Sequence, residues 1–167
     1  MILEEPVTYS LKKPQQITTT SFDTIVPSSQ KMDIMSAAYV KCNGDLQMGM
    51  LWYMLRDESW SLVKKLLGNL YLNKHDDLVN SSISEIGNIL TASIATAIHD
   101  DKGCKIWSSV PGFATESLDV LLEGAVVDFG DKYDTMIVSS AEFCGIHSGI
   151  KIHALLMQDP KETKTLL

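Results

Sequence analysis

A chain of 167 residues with net charge −7, 45% hydrophobic and 21% charged, has the length of one domain with a real core and an ordinary globular composition. A single arginine, Arg56, argues against a nucleic-acid surface; no apolar run reaches the length of a membrane span, and MILEEP carries acid where a signal peptide needs basic residues before an apolar core, so export is not expected. Three cysteines without a C-x-x-C pair make no disulfide framework, so the expected setting is the reducing cytoplasm.

Residues 1–16, interrupted by Pro6 and Pro14, read as an N-terminal tail or lead-in. The fold is expected to start at Ile17 with a strand over ITTTSFDTIVP, rich in Thr, Ile and Val and ending at Pro27. MDIMSAAYVKC and LQMGMLWYML are predicted to form a hairpin turning at Asn43-Gly44, a pair suited to positive φ. The hairpin's methionines (Met32, Met35, Met48, Met50, Met54) are expected as core filler. RDESWSLVKKLLGNL carries acid first and lysines later, as an amphipathic helix prefers, with Trp60, Val63, Leu66 and Leu67 apolar and an end near Gly68.

A long helix is predicted over residues 78–98, then a strand in KIWSSVPG closing on Pro111 and a short helix over TESLDVLLEG. YDTMIVSSAEFC and GIKIHALLM make a second hairpin. Residues 159–167 read as a polar tail behind a domain of residues 17–158. Strand, connector and hairpin recur in both halves, which implies a duplicated, mostly antiparallel α+β domain with helices over a sheet. Cys144-x2-His147 with His153 lacks a fourth ligand, so no metal site is expected.

The long helix contains an anomaly. At 100° per residue, Val79, Ile83, Ile86, Leu90, Ile94 and Ala97 share one arc, the stripe of a helix packed on a sheet. The opposite arc holds Ser81, Ser84, Glu85, Asn88 and then the small Ala92, Ala95 and Thr96. Gly87-Asn88 in the middle could be a helix stop. The apolar phase runs unbroken from Ile86 to Leu90 to Ile94, which favours a continuous helix weakened by Gly87 by about 1 kcal/mol relative to Ala. Glu85 has no basic residue three or four positions away to pair with, so the face looks like a site for a partner.

Ser81-x3-Glu85-x2-Asn88-x22-Pro111 resembles the active-site signature of the CheC/CheX family of chemotaxis phosphatases: Asp or Ser, then Glu, Asn and Pro at these spacings. The wording SSISEIGNILTASIATAI is similar to the CheC branch, and the resemblance extends from about Ile17 to Met157. It implies the family's pseudo-twofold repeat and, as substrate, the aspartyl phosphate of a CheY-type response regulator. Asn88 would orient the attacking water and Glu85 would dock to the regulator's lysine. Ser81 and Pro111 would support the site, Ala92 and Ala95 would give the regulator room, and Mg²⁺ would be carried by the regulator. CheC members often carry two motifs, the first on a helix before the first strand; residues 1–16 offer neither, so one site is expected. A homodimer, or another role for the N-terminal tail, would cover the sheet left bare. The alternative is a catalytically silent module binding a CheD-type deamidase or a flagellar switch complex, or a small cytosolic binding domain carrying the motif by chance.

Overall fold

The computed structural model describes residues 5–68, 76–130 and 134–163. Its centre is two long hairpins, β3 (Ile34–Gly44) with β4 (Met48–Leu55) and β7 (Thr135–Gly145) with β8 (Lys151–Gln158), joined by antiparallel pairing of β4 with β8. Each hairpin's outer strand carries an edge made of two short pieces. β1 (Val7–Leu11) and β2 (Gln15–Thr18) both pair with β7, while β5 (Ile106–Ser108) and β6 (Gly112–Ser117) both pair with β3. The sheet order β1-β7-β8-β4-β3-β5 is therefore a twofold repeat about the β4–β8 seam, and the α+β duplication expected from element order is present.

Strand parity divides the core. Met35, Ala37, Leu51, Tyr53, Leu155 and Met157 point to the face covered by α3 (Leu118–Gly130), which contributes Leu118, Leu122 and Val126. Ala38, Cys42, Met48, Met50, Trp52 and Met54 point the other way, onto α1 (Arg56–Leu67) and α2 (Asp76–Lys102). Helices on both faces explain why MGMLWYM is apolar at nearly every position rather than alternately. Met35, Met48, Met50 and Met54 are buried as expected; Met32 is exposed. The chain closes with a short helix, α4 (Pro160–Thr163).

Five local expectations are corrected. The lead-in is ordered where described: Val7–Leu11 is an edge strand, and Glu5 is buried, accepting from the backbone N–H of His147 (2.7 Å) and Ser148 (2.9 Å) and from Lys65 Nζ (2.9 Å). The strand expected over residues 17–27 stops at Thr18 and gives way to 3-10 turns at Phe22–Thr24 and Ser28–Gln30. Ser21 is the cause, its Oγ accepting from the Thr18 N–H at 2.9 Å and pulling the backbone out of the ladder. Asn43-Gly44 is not the hairpin turn; both residues pair with β5, and the loop is Asp45–Gln47. Gly44 does adopt φ +128°, but because the Lys105 backbone lies against it, held by Asp45 at 2.9 and 2.8 Å. Thr115–Ser117 are strand rather than helix, since they complete the ladder with Ile34–Ser36, and α3 starts at Leu118 and runs to Gly130. Finally, the stripes on the helices shift: Ala97 is exposed while Ile98 packs on the core, and α1 buries Leu62 and Val63 with Leu66 left exposed.

Candidate functional site

α2 is one uninterrupted helix from Asp76 to Lys102, so Gly87-Asn88 is not a stop. Its inner face packs on β3, β5 and β6 through Val79, Ile83 and Ile86. At Gly87 the helix backbone descends onto the sheet. A Cβ built there would lie 2.7 Å from the Ala38 Cβ and 3.6 Å from Trp52 Cδ1. One turn on, buried Thr91 accepts a hydrogen bond from Trp52 Nε1 at 2.9 Å. The glycine's close approach is thus to the protein's own sheet. Together with the Trp52–Thr91 bond it fixes the height and rotation of α2 over β3 and β4.

That anchoring determines what the far side presents. Glu85 lies about 200° around the helix from Gly87, so the contact that pulls Gly87 down holds Glu85 out in solvent. Asn88, one turn after Glu85, is half-buried, and neither side chain has a hydrogen-bond partner among the described residues. Ser81 is exposed on the same side, but its hydroxyl donates to the Asp77 carbonyl at 2.9 Å. Ala92 is exposed and Ala95 partly so.

The sequence reading passed over Ile89. It stands four residues after Glu85, outside the core stripe, and is 45% exposed, an apolar residue in the middle of the polar arc. The signal was available: a large apolar side chain out of phase with the buried ones.

Pro111 lies in the connection between β5 and β6, the two strands beneath α2. Ser109 pins this connection, its N–H donating to the Lys41 carbonyl at 2.7 Å and its Oγ accepting from the Lys41 N–H at 3.1 Å. Two residues beyond Pro111, Phe113 pairs with Ala38, the residue under Gly87. One strand position thus ties the proline connection and the Glu85–Asn88 turn to a common frame. Val110, next to Pro111, is 88% exposed.

Residues 78–114, the segment just described, match the CheC-like family. Over a longer stretch, the chain is 23% identical across 146 residues to the CheY-P phosphatase CheC of Bacillus subtilis (strain 168), covering 83% of this chain and 70% of that one. Its fold is similar to that of Thermotoga maritima FliY, with a TM-score of 0.73 at 13% identity over 99% of this chain and 82% of the other. It is also similar to a chain of the CheX–CheY–BeF3–Mg²⁺ complex of Borrelia burgdorferi, with a TM-score of 0.56 at 14% identity over 93% and 86%. Both likenesses are of fold. Among the described residues, no helix is long and apolar enough to cross a membrane.

Proposed function

We propose that this chain hydrolyses the aspartyl phosphate of a CheY-type response regulator. The observation that carries the reading is the pair Glu85 and Asn88, displayed one turn apart without hydrogen-bond partners among the described residues, on a helix whose position is locked by Gly87 and Trp52–Thr91. The CheC-like match over the same segment and the CheY-P phosphatase relative support it.

An acyl phosphate is already reactive, so catalysis here is positioning. Water attacks phosphorus in line, its oxygen forming the new P–O bond as the bond to the regulator's aspartyl oxygen breaks. The products are inorganic phosphate, which carries the water's protons, and the free carboxylate. The Asn88 amide both donates and accepts, and so can orient that water without titrating. Glu85 is an acceptor that receives the regulator's active-site lysine and sets the docking angle. The regulator's Mg²⁺ neutralises the phosphoryl charge, so this chain supplies no metal. Ser81 stiffens the preceding turn, Pro111 shapes the neighbouring loop, and Ala92 and Ala95 leave space for the regulator. The reaction belongs to the cytoplasm, where receiver domains work.

A second reading is a silent module that binds a CheD-type deamidase or a flagellar switch complex, favoured by the FliY-like fold over nearly the whole chain. Release of phosphate from a phosphorylated receiver domain separates the two. Wild type accelerates it, Asn88→Ala abolishes the acceleration with docking retained, and Glu85→Ala weakens docking. No acceleration with any cognate receiver leaves the module reading standing, and full activity in Asn88→Ala removes the site assignment.

A further inference from the structure

One rung of the sheet is unequal on the two sides of the β4–β8 seam. Directly opposed residues run Ser10, Glu142, His153, Tyr53, Ala37 and Ala114 from β1 across to β6. The twofold repeat relates the first three to the last three. On α3's half the rung is small and apolar beyond Tyr53, whereas the equivalent positions of the other half hold a carboxylate and a hydroxyl. The cover differs as well. Where the second half lays α3 over this face, the first half has only two 3-10 turns, Phe22–Thr24 and Ser28–Gln30. A cavity of about 120 Å³ lies in the gap, room for about four water molecules. Ile25, Val26 and Pro27, between the two turns, form an apolar wall; the polar half-rung with Tyr53, Lys12 and Ser140 lines the rest.

The polar groups there are unspent. Tyr53 is 7% exposed, yet its hydroxyl has no hydrogen-bond partner among the described residues, and the same holds for the hydroxyls of Ser10 and Ser140. A phenol so deeply placed ordinarily finds an acceptor. Burial and the nearby Glu142 charge push its pKa up to about 12, so it stays a donor, and its ring is held by stacking on His153 at 5.0 Å between centroids. Glu142 is the one acid lining the cavity, and its charge is already met: Lys151 Nζ lies 3.3 Å from one oxygen and His153 Nδ1 3.7 Å from the other. Burial favours the neutral form of His153. Lys12 has no ion-pair partner among the described residues. What remains is one uncompensated positive charge, three hydroxyl donors and an apolar wall.

We propose that this cavity binds a short-chain organic carboxylate, its oxygens accepting from Tyr53, the two serines and the Lys12 ammonium, and its alkyl end lying against Ile25, Val26 and Pro27. An anion uses every free donor, and the charge-assisted bonds it gains are the strong ones. An inorganic phosphate would match the donors and leave the apolar wall idle; a cation would meet a carboxylate that Lys151 already holds. The site lies on the sheet face opposite α2, so it is independent of the phosphatase reading.

Sodium propionate titrated into the ¹⁵N-labelled chain at constant ionic strength, followed by ¹H–¹⁵N spectra, tests this. Binding saturates with a Kd of about 1 mM, as a ligand of this size permits, and moves the amides of Ser10, Tyr53, Ser140 and Glu142. Tyr53→Phe, which removes only the hydroxyl, and Lys12→Gln each raise that Kd about ten-fold. Inorganic phosphate and methylammonium bind at least about ten-fold more weakly than propionate. Propionate that fails to saturate by about 50 mM overturns the proposal, as does wild-type affinity in both variants. Phosphate that binds as tightly and moves the same amides overturns the carboxylate assignment. Methylammonium that saturates where propionate does not makes Glu142 the anchor and overturns it too. Lys12→Gln alters an exposed side chain and keeps the test decisive if Tyr53→Phe fails to fold.

Discussion

Gly87→Ala sets two physical effects of opposite sign against each other. Helix propensity alone stabilises the change by about 1 kcal/mol, because Gly87 sits mid-helix in α2. Packing opposes it. The new methyl would sit 2.7 Å from the Ala38 Cβ, which is part of a paired strand and has no rotamer to yield. Relief needs a separation near 4 Å, so α2 must rise or roll by about 1 Å. Overpacking of this kind costs about 1–3 kcal/mol. The same displacement strains the Trp52–Thr91 bond, and leaving the buried indole N–H unmatched costs about another 1–3 kcal/mol. The net expectation is destabilisation by about 1–5 kcal/mol. Urea denaturation measures it, and Ala38→Gly, which removes the opposing methyl, should recover about 1 kcal/mol or more in the double mutant. On the proposed activity, a 1 Å shift of Asn88 should cost up to about a hundred-fold in receiver dephosphorylation. A Gly87→Ala protein more stable than wild type, with no coupling to Ala38→Gly, would refute the close-approach argument.

Thr91→Val keeps the side-chain volume but strips the acceptor from buried Trp52 Nε1, and should lower stability by about 1–3 kcal/mol in the same denaturation assay. Glu5 has its carboxyl held down at about 2 by the Ser148 hydroxyl, the Lys65 ammonium and the His147 and Ser148 amides, outweighing desolvation. Its folded pKa lies below the usual 4.5, so its contribution is complete above pH 4.5 and is lost as pH falls towards 2; thermal melts of Glu5→Gln should lack that acid-side slope. His153 is shifted the other way from a paired histidine: burial against Tyr53, at 5.0 Å between stacked rings, lowers its pKa below 6.5 despite the attraction of Glu142. Stability should therefore fall as pH drops through 6.5 and below, and His153→Phe should flatten that segment of the melt-versus-pH curve. Burial raises the Cys42 thiol to about 11, so thiol reagents at pH 8 should reach it only on unfolding, measured by peptide-resolved labelling.

Much of the site was legible because it rests on local rules. The helix period carried α2 through Gly87, the spacing Ser81–Glu85–Asn88 placed three polar groups on one side, and apolar runs located the strands of both hairpins. Ile89 was overlooked because attention to polar spacing hides an apolar residue standing among the polar ones. The Asn43-Gly44 turn failed because a strand distant in sequence, β5, claimed those residues, and Thr115–Ser117 became strand by the same kind of long-range pairing with β3.

By itself, the sequence determined which segments are apolar and with what period, hence the α+β repeat, the continuity of α2 and the exposed Glu85–Asn88 face. These follow from side-chain chemistry and backbone geometry within a few turns. Only the tertiary structure decided what Gly87 is for. Its role depends on Ala38, 49 positions earlier, lying beneath it. It also decided that the N-terminal segment is an open sheet edge, since β1 is a strand only because β7 presents its ladder to it. Contacts of that kind are set by where the sheet puts residues far apart in the chain, and no local period encodes them.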